Sequence, residues 1–260
     1  MRRLPLVLIG ATVLAAAAVS PAAAISYGQV DSQNTYANTG ALIEQFNDGK
    51  FIVCSGTLVA PRVFLTAAHC VDEGQAAWVS FDLHINEPVT AQTNTIYAGT
   101  AHPHPDAYCR GCGESDPNDV AVVVLDDAVQ GIIPALLPTE NQLTQMSNQA
   151  LKSATFVAAG YGTVRDVKQK AGQSLFWEPT RRWAAQTANS LEPAWLNLSM
   201  NVSTGDGGTC YGDSGGPHFL GAVVVAVTVT GDAYCKATDK DYRVDTPQAR
   251  AFLANYLTLP

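Results

Sequence analysis

The sequence predicts an all-β protein of two β units with a single helix at the C-terminus, on three observations. Short runs rich in Val, Ile, Phe and Trp recur from residue 51 onward. A polar segment divides these runs into two series, and the last apolar repeat has helical spacing. In the first series Phe51 to Cys54, Arg62 to Leu65, Trp78 to Phe81 and residues 120–125 read as strands separated by turn residues. The second holds residues 155–159, 195–202 and 218–230, with Gly221 placed to turn the last run into a hairpin. Residues 131–148, rich in Pro, Gln, Asn and Thr, read as a linker. Thr246 suits a helix cap and Pro247 a first helical position, and Phe252, Leu253, Tyr256 and Leu257 would share the buried face. No internal repeat is visible.

Composition then limits function. The chain has 260 residues, 47% hydrophobic and 15% charged, enough for one large core or two modest ones. No low-complexity tract follows residue 24, which excludes long disorder. The formal charge is −8; residues 1–24 hold Arg2 and Arg3 and no acid, so the remainder carries 13 basic against 23 acidic residues, or −10. Such a surface repels phosphate backbones and has no basic cluster, which argues against a nucleic-acid partner.

Residues 1–24 read as an export signal. Arg2 and Arg3 supply positive charge, residues 6–19 form an apolar run, and Pro21 breaks it before Ala22-Ala23-Ala24. Small residues at 22 and 24 fit cleavage after Ala24, so the mature chain is expected to begin at Ile25. The run is too short and Ala-rich for a membrane anchor. The arginines lack the fuller surroundings of a twin-arginine signal, which favours general secretion. In an exported chain disulfides are the default use of Cys54, Cys70, Cys109, Cys112, Cys210 and Cys235, with their pairing open on spacing alone.

The segment Cys210-Tyr-Gly-Asp-Ser-Gly-Gly-Pro217 carries the chemistry. Glycines at 212, 215 and 216 let the backbone approach a substrate and aim several N–H groups at one point beside Ser214. The pattern also satisfies the G-x-S-x-G of α/β-hydrolases, but in that class the acid and histidine follow the serine. Here only His218 follows, without alternating helices and strands. A better histidine, His69, ends the run Leu65-Thr-Ala-Ala-His69. Asp119 starts an apolar strand, and a carboxylate entering a core needs a partner that an imidazole N–H supplies. The order is His, Asp, Ser.

These segments resemble the chymotrypsin-like (trypsin-like) serine proteases over nearly the whole chain from Ile25. Cys54-Ser-Gly-Thr-Leu58 to Thr66-Ala-Ala-His-Cys70, Asn118-Asp119 and Gly212-Asp-Ser-Gly-Gly-Pro217 match its motifs in order and spacing. Gly160-Tyr-Gly162 is similar to its Gly-Trp-Gly, with Tyr161 in place of Trp. The resemblance implies two six-stranded antiparallel β-barrels packed together with a C-terminal helix, one at residues 25–137 and the other at 138–260. It implies a secreted serine endopeptidase in which Ser214 attacks the peptide carbonyl, His69 moves the proton and Asp119 orients the imidazole. The Gly212 and Ser214 amides would form the oxyanion hole, with no cofactor and no metal. Ile25-Ser-Tyr-Gly28 resembles the family's N-terminus, so signal cleavage would itself release the amine that pairs with Asp213. The alternative is that Asp213 only caps its loop. By resemblance Cys54 pairs with Cys70 and Cys210 with Cys235, leaving Cys109 to pair with Cys112. Zinc held by His102, His104, Cys109 and Cys112 is the alternative for that last pair.

Specificity is less defined. Gly208 lies where members selective for Arg or Lys carry aspartate, which argues against that preference. Thr230 would narrow the pocket, and Thr228 stands where the family often has a serine supporting the buried acid. Asp239 or Asp241 could instead reach the pocket base and restore a basic preference. His84, His102, His104 and His218 read as surface or loop histidines, and Trp78, Trp183 and Trp195 as packing residues. Asn197 and Asn201 head glycosylation sequons, meaningful only in a eukaryotic host. The partners expected are protein or peptide substrates and proteinaceous inhibitors, for a monomer with no membrane or nucleic-acid contact. The other classes weighed are a non-catalytic binding protein on the same fold and an esterase using the same triad.

Overall fold

The computed structural model describes residues 25–107, 117–165 and 175–260. The export signal, Cys109 and Cys112 lie outside the described residues. A short strand, β1 (Gln29–Val30), leads into β2 (Thr39–Phe46), β3 (Gly49–Ala60), β4 (Val63–Thr66), β5 (Ala76–Ser80), β6 (Tyr97–Pro103) and β7 (Ala121–Leu125). The strands β2-β3-β4-β7-β6-β5 pair antiparallel in that order and close into a barrel through β2 and β5. After helix α1 (Asn148–Ser153) come β8 (Phe156–Gly160) and a two-stranded ribbon of β9 (Val164–Arg165) and β10 (Leu175–Phe176). There follow β11 (Arg182–Gln186), β12 (Ala188–Leu191), β13 (Trp195–Ser199), β14 (Pro217–Leu220), β15 (Val223–Gly231), β16 (Thr238–Arg243) and helix α2 (Pro247–Leu253).

The second sheet runs β1-β11-β8-β14-β15-β16-β13-β12. Only Thr187 separates β11 from β12; the first half of this bent strand pairs with β8 and the second with β13. Counted as one strand, it closes a ring of six, and β1 lies outside against β11. The all-β architecture of two barrels and a terminal helix is therefore as the sequence predicts.

Side-chain alternation explains why some strands read as continuous apolar runs. On β4, Val63 and Leu65 face the core between the barrels while Phe64 fills the first barrel. Around β7, Val120 and Val122 face the inter-barrel core, and Ala121, Val123 and Leu125 face the barrel interior. With both faces buried, neither strand needs polar residues. Each fully buried Leu or Phe contributes about 1.5–3 kcal/mol. Phe156, Leu196, Leu198 and Val225 fill the second barrel.

Helix α2 starts where the sequence places it. The Thr246 hydroxyl accepts from the Ala249 amide, with Pro247 in the first turn. Phe252 and Leu253 join the inter-barrel core, whereas Tyr256 and Leu257 lie past the helix end and are half-buried. The Phe252 ring lies 5.1 Å from that of His104, and Tyr256 stacks 5.5 Å from His102. Strands β2, β6 and β11 and helix α1 carry no clear sequence signal.

Candidate active site

The 3₁₀ turn at Ala68–Cys70 continues from β4 and carries His69. Ala67 and Ala68 are small enough to be buried beneath it, and the Cys54–Cys70 disulfide ties the turn to β3. Asp119 lies just before β7, which pairs with β4 in a register that sets Thr66 beside Ala121. His69 Nδ1 stands 2.7 Å from Asp119 Oδ2, and the His69 amide donates to Asp119 Oδ1 at 2.9 Å. The carboxylate, only 3% exposed, thus grips both the ring and the backbone of one residue. The Thr228 hydroxyl, expected to support this acid, turns instead to His218 and Gly216.

Ser214 enters from the second barrel. Gly212 and Gly215 have φ of +94° and +76°, left-handed values that favour glycine. A Cβ on Gly215 would lie 2.1 Å from Thr66 Oγ1 and 2.6 Å from the Ala67 amide, so only glycine lets this loop seat against the His69 strand. Among the described residues, neither the Gly212 nor the Ser214 amide donates to a protein acceptor. His69 and Ser214 line one cleft of about 420 Å³, together with Thr209, Tyr211, Thr228 and Thr230. The Cys210–Cys235 disulfide joins two further lining residues.

Gly208 is buried rather than on the cleft wall. A side chain there would meet Met200 Sδ at 2.4 Å and Gln186 Nε2 at 2.6 Å, and it is Thr209 that faces the cleft. Asp239 is fully buried behind Thr209 and accepts from its amide and hydroxyl. Asp241 is equally buried beside His218. The expectation of a surface or loop position for His218 is corrected: this imidazole has no solvent exposure. It sits on β14 between β8 and β15.

Asp213 is sealed beneath the loop. Its carboxylate accepts from the Gly162 amide at 2.8 Å and the Cys210 amide at 2.9 Å. A Cβ on Gly160 or Gly162 would lie 2.2 or 2.5 Å from that carboxyl group, which explains both glycines around Tyr161. Burial pushes Asp213 up to about 7, against the opposing effect of those two amides. Ile25 is buried against Ala158 and Ala184, and Ser26 bridges to Gly208. Trp177 was not singled out by sequence, yet a Cβ on Gly212 would lie 2.9 Å from its ring. Its indole N–H donates to Glu87 Oε2 at 2.5 Å. Exposed and lacking a periodic pattern, Trp177 gave no sequence signal.

Comparison with known proteins decides the family. A family model described as Trypsin matches residues 29–253. The chain belongs to the trypsin family. It is a serine endopeptidase, and proteins are its substrates. The chain is 26% identical over 203 residues to mouse kallikrein 1-related peptidase b21, covering 73% of this chain and 74% of that protein. It is 24% identical over 195 residues to mouse kallikrein-8, covering 74% and 72%. Its fold is similar to that of a mutant of human heparin binding protein, with a TM-score of 0.66 and 19% identity over 90% of this chain and 96% of the other. Neuropsin, a serine protease of mouse brain, superposes with a TM-score of 0.65 and 19% identity over 89% and 99%. No helix among the described residues is long and apolar enough to cross a membrane.

Proposed function

We propose that this endopeptidase is secreted and cleaves peptide bonds through an acyl-enzyme formed on Ser214. His69 takes the Ser214 proton during attack and returns it to the leaving amine, while Asp119 holds the imidazole tautomer and stabilises its cation. The observation that carries this reading is the 2.7 Å His69–Asp119 contact, at a cleft that Ser214 also lines. The amides of Gly212 and Ser214 receive the oxyanion; losing one such donor typically costs about 2.7–4 kcal/mol of transition-state stabilisation. Thr228 and Thr230 bound the substrate cleft, with Gly208 supporting its wall from behind. Water then hydrolyses the acyl-enzyme with the same proton path reversed.

Cleavage after Ala24 accompanies export, and the new Ile25 amine pairs with Asp213 to order the oxyanion loop. The barrels at 25–137 and 138–260 act as two domains of a monomer that needs no cofactor or metal, and meets proteinaceous inhibitors but neither membrane nor nucleic acid.

The test is the intact mass of the secreted protein before and after a small phosphonylating reagent. One adduct on Ser214, on a chain beginning at Ile25, is expected, and Ser214→Ala should take no adduct and hydrolyse no casein. An unmodified chain with the Ile25 start would overturn the catalytic reading in favour of a binding protein. Hydrolysis of small esters without casein would favour an esterase.

A further inference from the structure

Four residues beyond Ser214 lies a second imidazole–carboxylate pair, this one with no access to solvent. His218 Nε2 is 2.8 Å from Asp241 Oδ1, 3.0 Å from Thr228 Oγ1 and 4.0 Å from Asp239 Oδ2. All three acids and bases are fully buried. Asp239 is saturated by Gln186 Nε2 and by the amide and hydroxyl of Thr209. Asp241 Oδ2 has no hydrogen-bond partner among the described residues, and Oδ1 is paired with His218 Nε2 alone.

The hydrogen positions follow from the partners. The Thr228 hydroxyl donates to the Gly216 carbonyl at 3.3 Å, so toward His218 it accepts, as Asp241 does. Nε2 therefore carries a hydrogen. A buried carboxylate without a donor is strongly disfavoured, and a proton shared by His218 and Asp241 removes that penalty. Burial alone would depress the imidazole, yet Asp241, Asp239 and Asp213 override it and the net shift is upward. Burial pushes Asp241 up to about 8, with His218 pulling the other way and Asp239 adding to the rise. The pair keeps its proton through neutral pH and loses it as the medium becomes alkaline.

Thr228 is where this pair meets the site. Its carbonyl accepts from the Gly215 amide at 2.8 Å, and its amide donates to the Gly216 carbonyl at 2.9 Å. One threonine thus fastens both residues that follow Ser214, and it also lines the cleft. We propose that His218, paired with Asp241, is a positioning residue for the nucleophile: through Thr228 it fixes Gly215 and Gly216, and with them the place of Ser214 relative to His69. The proposal rests on the reading of Ser214 as nucleophile. The pair touches neither substrate nor the reacting atoms. Loss of its proton leaves Asp239 and Asp241 as adjacent buried anions beside a neutral imidazole, and replaces the charge-assisted bond from Nε2 to Thr228 with a weaker neutral one.

The experiment measures hydrolysis of a chromogenic peptide amide by the mature enzyme from about pH 6 to 10. It compares wild type with His218→Gln, Thr228→Val and Thr228→Ser. His218→Gln should lower kcat about tenfold or more with KM nearly unchanged; Thr228→Val should lower kcat by a similar factor, and Thr228→Ser, which keeps the hydroxyl, should recover most of what Thr228→Val loses. Wild type should show a larger alkaline fall in kcat than Thr228→Val, which leaves the pair intact but uncoupled and keeps only the fall from deprotonation of the Ile25 amine. If His218→Gln does not fold, Thr228→Val decides alone. Folded variants with the wild-type kcat and pH profile would overturn the proposal while leaving the peptidase reading intact. A wild type that hydrolyses nothing would overturn both. A stoichiometric metal ion that His218→Gln releases would overturn the positioning role, because the three ligand atoms would then serve a cation.

Discussion

The Ser55 amide donates to the Ser214 carbonyl at 2.9 Å, so a strand of the first barrel holds the backbone of the nucleophile carried by the second. The Ser55 hydroxyl extends the link, donating to the Gly212 carbonyl and accepting from the Tyr161 amide, both at 3.0 Å. Ser55→Ala keeps the first bond and removes the other two. It leaves the buried Tyr161 amide unpaired, at a cost of about 1–3 kcal/mol. Urea unfolding should show that loss, and kcat should fall because the Gly212 peptide is no longer held. A variant as active and stable as wild type would show that the loop keeps its shape without Ser55.

Gly215→Ala should be far more damaging. The added methyl would be forced into Thr66 Oγ1 and the Ala67 backbone at a left-handed φ. Overpacking and strain together cost about 3 kcal/mol or more, and relief by moving the loop separates Ser214 from His69. Gly221→Ala is the control: φ is +63° but nothing lies within 4 Å, so only a left-handed penalty of about 1–2 kcal/mol applies. Thermal unfolding and kcat should separate the two variants, with activity lost only in Gly215→Ala.

Asp119→Asn tests the acid without changing its volume. The carboxylate accepts from both the His69 amide and ring, and an asparagine oxygen cannot serve both oxygen positions. Its NH₂ would select the wrong tautomer and leave the other imidazole nitrogen unable to accept the Ser214 proton. The expected loss in kcat is about 10⁴-fold with little change in KM. A loss under tenfold would remove Asp119 from the proposed mechanism.

Much of this site was legible because its segments are local. The turns around His69 and Ser214 declare themselves through Ala67, Ala68, Gly212 and Gly215, residues whose small size is needed where they stand. The run of β7, and that of β4 up to Thr66, are apolar because both faces are buried. Strand β2 was silent since Thr39, Gly40 and Ala41 have neither bulk nor alternation, although all three are buried. His218 was misread for a related reason: its partners Asp241 and Thr228 come from β16 and β15, and only the pairing of Thr228 with Asp241 brings them to it. Thr209 faces the cleft while Gly208 hides, a one-residue alternation that motif counting does not resolve.

The Asp213 carboxyl predicts a pH dependence that differs with the N-terminus. With Ala24 still attached, its folded value is about 7 against an ordinary 3.8, because burial disfavours the charged form. A raised folded value means the native state holds a proton the unfolded chain has released. Stability then falls as pH rises from about 4 to 7, by about 1.36 kcal/mol per unit for one proton. A free Ile25 amine, charged below about pH 8, supplies the counter-charge and removes that fall. A chain starting at Ile25 and one carrying an extra alanine before it should be equally stable near pH 4 and diverge toward pH 7. They should converge again once the amine deprotonates. Phosphonylation of Ser214 should follow the same difference, fast only in the Ile25 chain. Urea unfolding across that range reads the effect directly, and parallel curves for the two chains would mean Asp213 only caps its loop.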